Sequence, residues 1–98
     1  MINIPEKPEK AAHAAWSFAP DGTAVVKDTE QSIFYPLNEV GALIWDLVDG
    51  EHDATAIAAA VTNEYDVAHE DAIVDVREFL GHLAELDLIQ NRKEVKSP

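Results

Sequence analysis

The side chains best suited to chemistry in this 98-residue chain are its carboxylates and histidines, and their spacing decides what they can do. His69-Glu70 opens the way a zinc-protease helix opens, but the second histidine belongs at position 73, which is isoleucine. Asp49, Glu51 and Asp53 begin like a calcium loop. Ala54 holds the place of the glycine that makes the sharp turn, and Ala60 stands where the bidentate acid belongs. His13, His52 and His82 lack ligand partners at helical spacing. Ser17, Ser32 and Ser97 sit in no nucleophile motif, and no glycine-rich phosphate loop is present. Asp71, Asp75 and Glu78 crowd one side of a helical stretch, where they form either mutually perturbed carboxylates or a solvated acidic face. With no cysteine there is no disulfide, no thiolate zinc site and no thiol nucleophile. No catalytic residue, metal site or cofactor is therefore expected, and the chain reads as a binding protein rather than an enzyme.

Bulk composition narrows the partner. The chain carries 19 acids against 7 bases, a net charge of −12. Between Ala11 and Gln90 only Lys27 and Arg77 are basic, against 16 acids. Such a surface repels phosphate, so nucleic acid is excluded as an expected partner, and a basic partner is favoured. The N-terminal MINIPEKPEK has no apolar signal core, and no apolar run is long enough to span a membrane. A cysteine-free chain suits a cytoplasmic location.

The elements that would position a binding surface can be read from periodicity. Residues 1–13 hold Pro5, Pro8 and four charges and read as a flexible tail; residues 91–98 read as a basic one. The domain proper is 14–90. AAWSFAP, the turn Asp21-Gly22 and TAVVKD predict a hairpin. SIFYPL predicts a third strand in which Ile33, Tyr35 and Leu37 alternate with Phe34, and Pro36 marks it as an edge. Asn38 then caps a helix with Val40, Leu43, Ile44, Leu47 and Val48 on one stripe, ended by Asp49-Gly50. Trp45 is expected as a core aromatic wedging that helix against the third helix or the sheet. Asp53 caps a second helix, with Ile57, Ala60, Val61 and Tyr65 on its apolar side. A third and longest helix carries Ile73, Val76, Phe79, Leu80, Leu83 and Leu86, and LIQ follows as a short strand. The expected class is α+β, three strands followed by three helices in a winged-helix-turn-helix-like layout. The third helix is acidic, which disfavours reading DNA. An apolar edge strand beside a helix is instead the geometry for β-strand addition by an extended peptide.

Leu37, Asn38, Gly41, Ile44, Trp45, Asp49, Gly50, Asp75, Val76, Phe79, Leu80 and Leu83 form an ordered set that resembles the PqqD-like family, over about residues 14–90. The resemblance implies three strands followed by three helices. It also implies a RiPP recognition element that binds the leader region of a ribosomally made precursor peptide. The leader adds as a strand to the third strand, lies against the third helix and is presented to a modifying enzyme such as a radical-SAM protein. Members serving pyrroloquinoline quinone biosynthesis carry Pro-Glu before the Leu-Asn; here the stretch is IFYPLN. A lasso-peptide or other radical-SAM pathway fits the resemblance equally.

Mapped onto this chain, the backbone of Ser32, Ile33, Phe34 and Tyr35 is expected to pair with the leader. Val74, Arg77, Glu78 and Gly81 of the third helix are expected to line the groove. Val74 is apolar but off the core stripe. Gly81 permits close approach at a cost of about 1 kcal/mol against alanine. Arg77 is placed to hold a leader carboxylate or to pair with Asp71, Asp75 or Glu78. The alternative is a winged-helix regulatory or interaction module unrelated to peptide modification. An open edge also allows a dimer as readily as a monomer.

Overall fold

The computed structural model describes residues 4–91. Five strands and three helices follow one another as β1 (Pro8–Lys10), β2 (Ala14–Phe18), β3 (Ala24–Asp28), β4 (Ile33–Leu37), α1 (Glu39–Asp46), α2 (Ala54–Glu64), α3 (His69–Glu85) and β5 (Ile89–Asn91). The three strands and three helices expected from the sequence are all present, an α+β arrangement. The main sheet is antiparallel in the order β2-β3-β4, so among the described residues β4 has a neighbour on one side only.

Period-two alternation decides the faces of this sheet. Register pairs Val26 with Trp16 and Tyr35, and Ala24 with Phe18 and Leu37, which puts these residues on one face. On that face Ala14, Ala24, Val26 and Leu37 join the buried core. Lys27 and Phe34 pair across the opposite face. The β2–β3 turn uses Gly22 at φ 91, a conformation glycine adopts without steric cost. In the β3–β4 turn the buried Asp28 carboxylate accepts the amides of Glu30 and Gln31 at 2.9 and 3.0 Å, and Ser32 takes φ 57.

α1 and α2, at 8 and 11 residues, are too short to be stable alone, and their stripes are held by packing against α3 and the sheet. Ile44, Trp45, Ile57, Val61, Val76, Leu80 and Leu83 meet in one core with Val48 and Leu88. Asn38 caps α1, its Oδ1 accepting from Gly41 N at 2.8 Å. Asp53 does the same for α2 through Ala56 N at 2.8 Å. In α2 it is Ala58 that is buried with Ile57 and Val61, while Ala60 is half-buried.

Two features depart from the sequence reading. First, α1 ends at Asp46 with Leu47 as its C-cap, so Asp49-Gly50 does not terminate it. Gly50 keeps a left-handed φ of 80, but in the next turn, where its amide donates to Pro8 O at 2.8 Å. Second, residues 8–10 are not tail. β1 pairs antiparallel with β5, Glu9 bridges to Asp49, and Lys10 Nζ donates to Val48 O at 2.9 Å. The same ammonium lies 5.0 Å from the Trp16 ring centre and 5.3 Å from that of Trp45. Burial pulls the Lys10 ammonium below its ordinary pKa, against the opposing fields of Asp46 and Asp49. The strand escapes periodicity because three residues held by main-chain pairing need no apolar alternation. Of the remaining tail assignments, residues 1–3 and 92–98 lie outside the described residues.

Candidate functional site

β4 is built to stay at an edge. Pro36 has no N–H, so a further ladder is interrupted at that residue, and Asn38 turns the chain into α1 immediately after Leu37. Phe34, on the face away from the helices, is 59% exposed, and Lys27 Nζ lies 5.2 Å from its ring centre. Ile33 is also exposed, Tyr35 is half-buried and Leu37 is buried, so the strand sinks into the core toward its C-terminal end. Ser32, expected as the first pairing residue, instead lies in the turn: its left-handed backbone does not continue a strand.

Where β4 meets the helices, a cleft of about 270 Å³ opens, lined by Pro36, Leu37, Gly41, Ile44, Asp75 and Phe79 among others. Gly41 explains how the walls come so close. A β-carbon there would sit 3.3 Å from the end of the Phe79 ring and 3.3 Å from Asn38 Oδ1. Asp75 and Phe79, one turn apart on α3, are the side chains that this helix gives to the cleft.

The α3 residues expected to line the groove fall elsewhere on the helix. Arg77, Glu78 and Gly81 line a second, shallower cleft of about 390 Å³ together with Ile4. Gly81 faces open space: a β-carbon there would meet no atom within 4 Å. Val74 points outward and is 53% exposed. Among the described residues Arg77 makes no ion pair with Asp71, Asp75 or Glu78. The structure thus groups Ile33, Phe34 and Tyr35 on the edge strand and sets Val74, Arg77, Glu78 and Gly81 on the outer surface and far flank of α3. Phe79 was legible as a core residue and as part of the family pattern but not as a cleft wall, because a partly buried aromatic at the margin of an apolar stripe has the same spacing as one at its centre. Asp75 was legible as part of the family pattern but not as a cleft wall.

Among the described residues no group of three or more His, Cys, Asp or Glu is gathered so as to hold a metal ion. No described helix is long and apolar enough to cross a membrane.

The fold is similar to that of TbiB1 in complex with the TbiA(beta) leader peptide, with a TM-score of 0.77 and 23% identity over 88% of this chain and 99% of that one. It is similar also to lasso peptide synthetase B1 complexed with the leader peptide, with a TM-score of 0.76 and 23% identity over 86% and 98% of the two chains. Comparison with curated protein sequences finds no match. The family model described as coenzyme PQQ synthesis protein D matches residues 23–89, most of the folded chain, and the protein belongs to that family.

Proposed function

We propose that this protein is a non-catalytic peptide chaperone: it binds the leader region of a ribosomally synthesised precursor peptide by strand addition to β4 and presents it to a modifying enzyme. The observation that carries this reading is the unpaired edge of β4 beside the cleft formed with α1 and α3. An added strand gains main-chain hydrogen bonds along the edge, and its alternate side chains flank Phe34 on one face and Ile33 and Tyr35 on the other. The next residues of the peptide enter the cleft against Pro36, Gly41 and Phe79. Val74, Arg77, Glu78 and Gly81 come into contact where the peptide runs on past Phe79 over α3, and Ser32 borders the start of the paired strand. Both structural relatives are leader-peptide complexes, which supports the same class of ligand here. The partner is a peptide-modifying enzyme of a radical-SAM, lasso or quinone-cofactor pathway.

An amide-resolved NMR titration tests the reading, using synthetic peptides from short reading frames beside the gene. The expected result is a set of shifts on Ile33–Leu37, Asp75 and Phe79 that saturates at micromolar peptide. Shifts confined to the Ile4–Gly81 cleft, or none with any neighbouring peptide, would overturn it.

A further inference from the structure

A wider cleft, about 480 Å³, lies across α1 from the β4 cleft. The spacing of α1 makes the division: Val40, Gly41 and Ile44 face β4 and α3, while Glu39, Leu43 and Asp46 face this second space. Its other walls are the β2–β3 turn and the end of α2. Phe18, 45% exposed, gives it an apolar floor with Leu43 and Tyr65. Four carboxylates line it, those of Asp21, Glu39, Asp46 and Glu64, and its lining contains no lysine, arginine or histidine. Gly22 leaves room for the Glu39 side chain, which packs 3.3 Å from where a β-carbon would be.

Among the described residues no cation forms an ion pair with these carboxylates. Glu39 and Glu64 have no side-chain hydrogen bond or ion pair among the described residues. Lys10 feels the field of Asp46, but its ammonium donates to the Val48 carbonyl and rests against two indole rings. The Thr23 hydroxyl and amide, 2.6 and 2.9 Å from Asp21 Oδ1, hold that carboxyl below its ordinary pKa, so it stays ionised. An apolar floor under a rim of unpaired negative charge is complementary to a cation carried next to an apolar side chain.

We propose that this cleft docks a segment of a protein partner that carries arginine or lysine beside an apolar residue. The proposal does not rest on leader binding: the two clefts are on opposite sides of α1, so each can be filled with the other occupied or empty.

The test uses the full chain at physiological salt and a blocked pentapeptide alternating arginine with leucine. Its counterpart with glutamate for arginine is the control. Amide shifts are expected on Gly22, Glu39, Leu43, Asp46 and Tyr65 with the basic peptide and not with the acidic one. The combined substitutions Glu39→Gln, Asp46→Asn and Glu64→Gln are expected to weaken binding roughly tenfold. Glu70→Gln, Asp71→Asn and Glu85→Gln, three exposed acids of α3, remove the same charge and are expected to leave it unchanged. Phe18→Ser, at a half-exposed position, is expected to weaken binding with all charges in place. Equal losses in the two triple variants, or shifts spread over the whole acidic surface, would overturn the proposal in favour of diffuse attraction. The leader titration is read at β4 and this one at α1 and the β2–β3 turn, so either can fail alone.

Discussion

Helix α1 separates two clefts of opposite character. On the β4 side the lining is mostly apolar, Asp75 is its one acid, and an unpaired strand edge runs alongside. On the other side four carboxylates surround Phe18, Leu43 and Tyr65. A strand edge recognises main chain and tolerates varied side chains; a charged cleft recognises a particular side chain and tolerates varied main chain. The 8 residues of this helix thus divide two surfaces of different chemistry, because residues three and four apart fall on a common face and the intervening ones fall on the other.

The largest expected effect erases the difference by removing the divider. Trp45 is fully buried on α1 and meets Trp16 edge-on, with ring centres 5.8 Å apart and planes at 74°. Trp45→Ala is expected to cost about 3–5 kcal/mol, a large share of what holds a domain of this size together. A urea melt should show the loss, and both clefts should fail with it. Trp45→Phe is expected to cost clearly less. The indole Nε1 is buried with no hydrogen-bond partner among the described residues, so phenylalanine gives up volume but also an unsatisfied donor. A Trp45→Ala protein that melts like the parent, or that keeps either binding activity intact, would mean that α1 is not the common support.

A smaller change separates the two sides. Gly41→Val adds methyl groups where even one β-carbon meets Phe79 and Asn38 at 3.3 Å. Overpacking of this kind costs about 1–3 kcal/mol, partly offset by the higher helix propensity of valine over glycine. The affinity for a leader peptide should fall because the cleft narrows, and the basic pentapeptide should bind as before. Equal losses at both sites would show that the clefts are coupled through α1.

How much of this was legible in the sequence follows from what each feature depends on. Strands β2, β3 and β4, the caps Asn38 and Asp53, and the core stripe of α3 rest on local periodicity and capping chemistry, and they are where those rules put them. Strand β1 rests on a partner near the other end of the chain and on a lysine shared between two tryptophans, which no local pattern encodes. The end of α1 differs from the expected one for a related reason. Gly50 has the backbone expected of a helix stop, but β1 reaches it first and takes its amide. For the site, alternation identified the exposed face of β4. The rotation of α3 about its axis did not follow from its stripe, because Asp75 and Phe79 on one flank and Arg77 and Gly81 on the other border the same buried residues. The acidic cleft was invisible as a cleft, since Asp21, Glu39, Asp46 and Glu64 come from three separate parts of the chain.

The smallest expected effect on stability is the sharpest test of the edge. Phe34 stands opposite Lys27 across the β3–β4 pair, on the solvent side of the sheet. Phe34→Glu exchanges a ring contact for a cross-strand ion pair, two interactions of similar size, so stability should stay within about 0.5 kcal/mol. An extended peptide on β4 must pass this side chain, and it loses an apolar neighbour and meets a charge instead. Leader affinity should therefore drop with no change in the urea midpoint, while the basic pentapeptide keeps its affinity. Val74→Glu makes the same chemical change at an equally exposed position that borders neither cleft, and the expected loss there is smaller. If the two variants bind alike, the strand edge is not what the peptide reads. A drop larger in Val74→Glu than in Phe34→Glu would shift recognition from β4 to the outer face of α3, where main-chain pairing has no part.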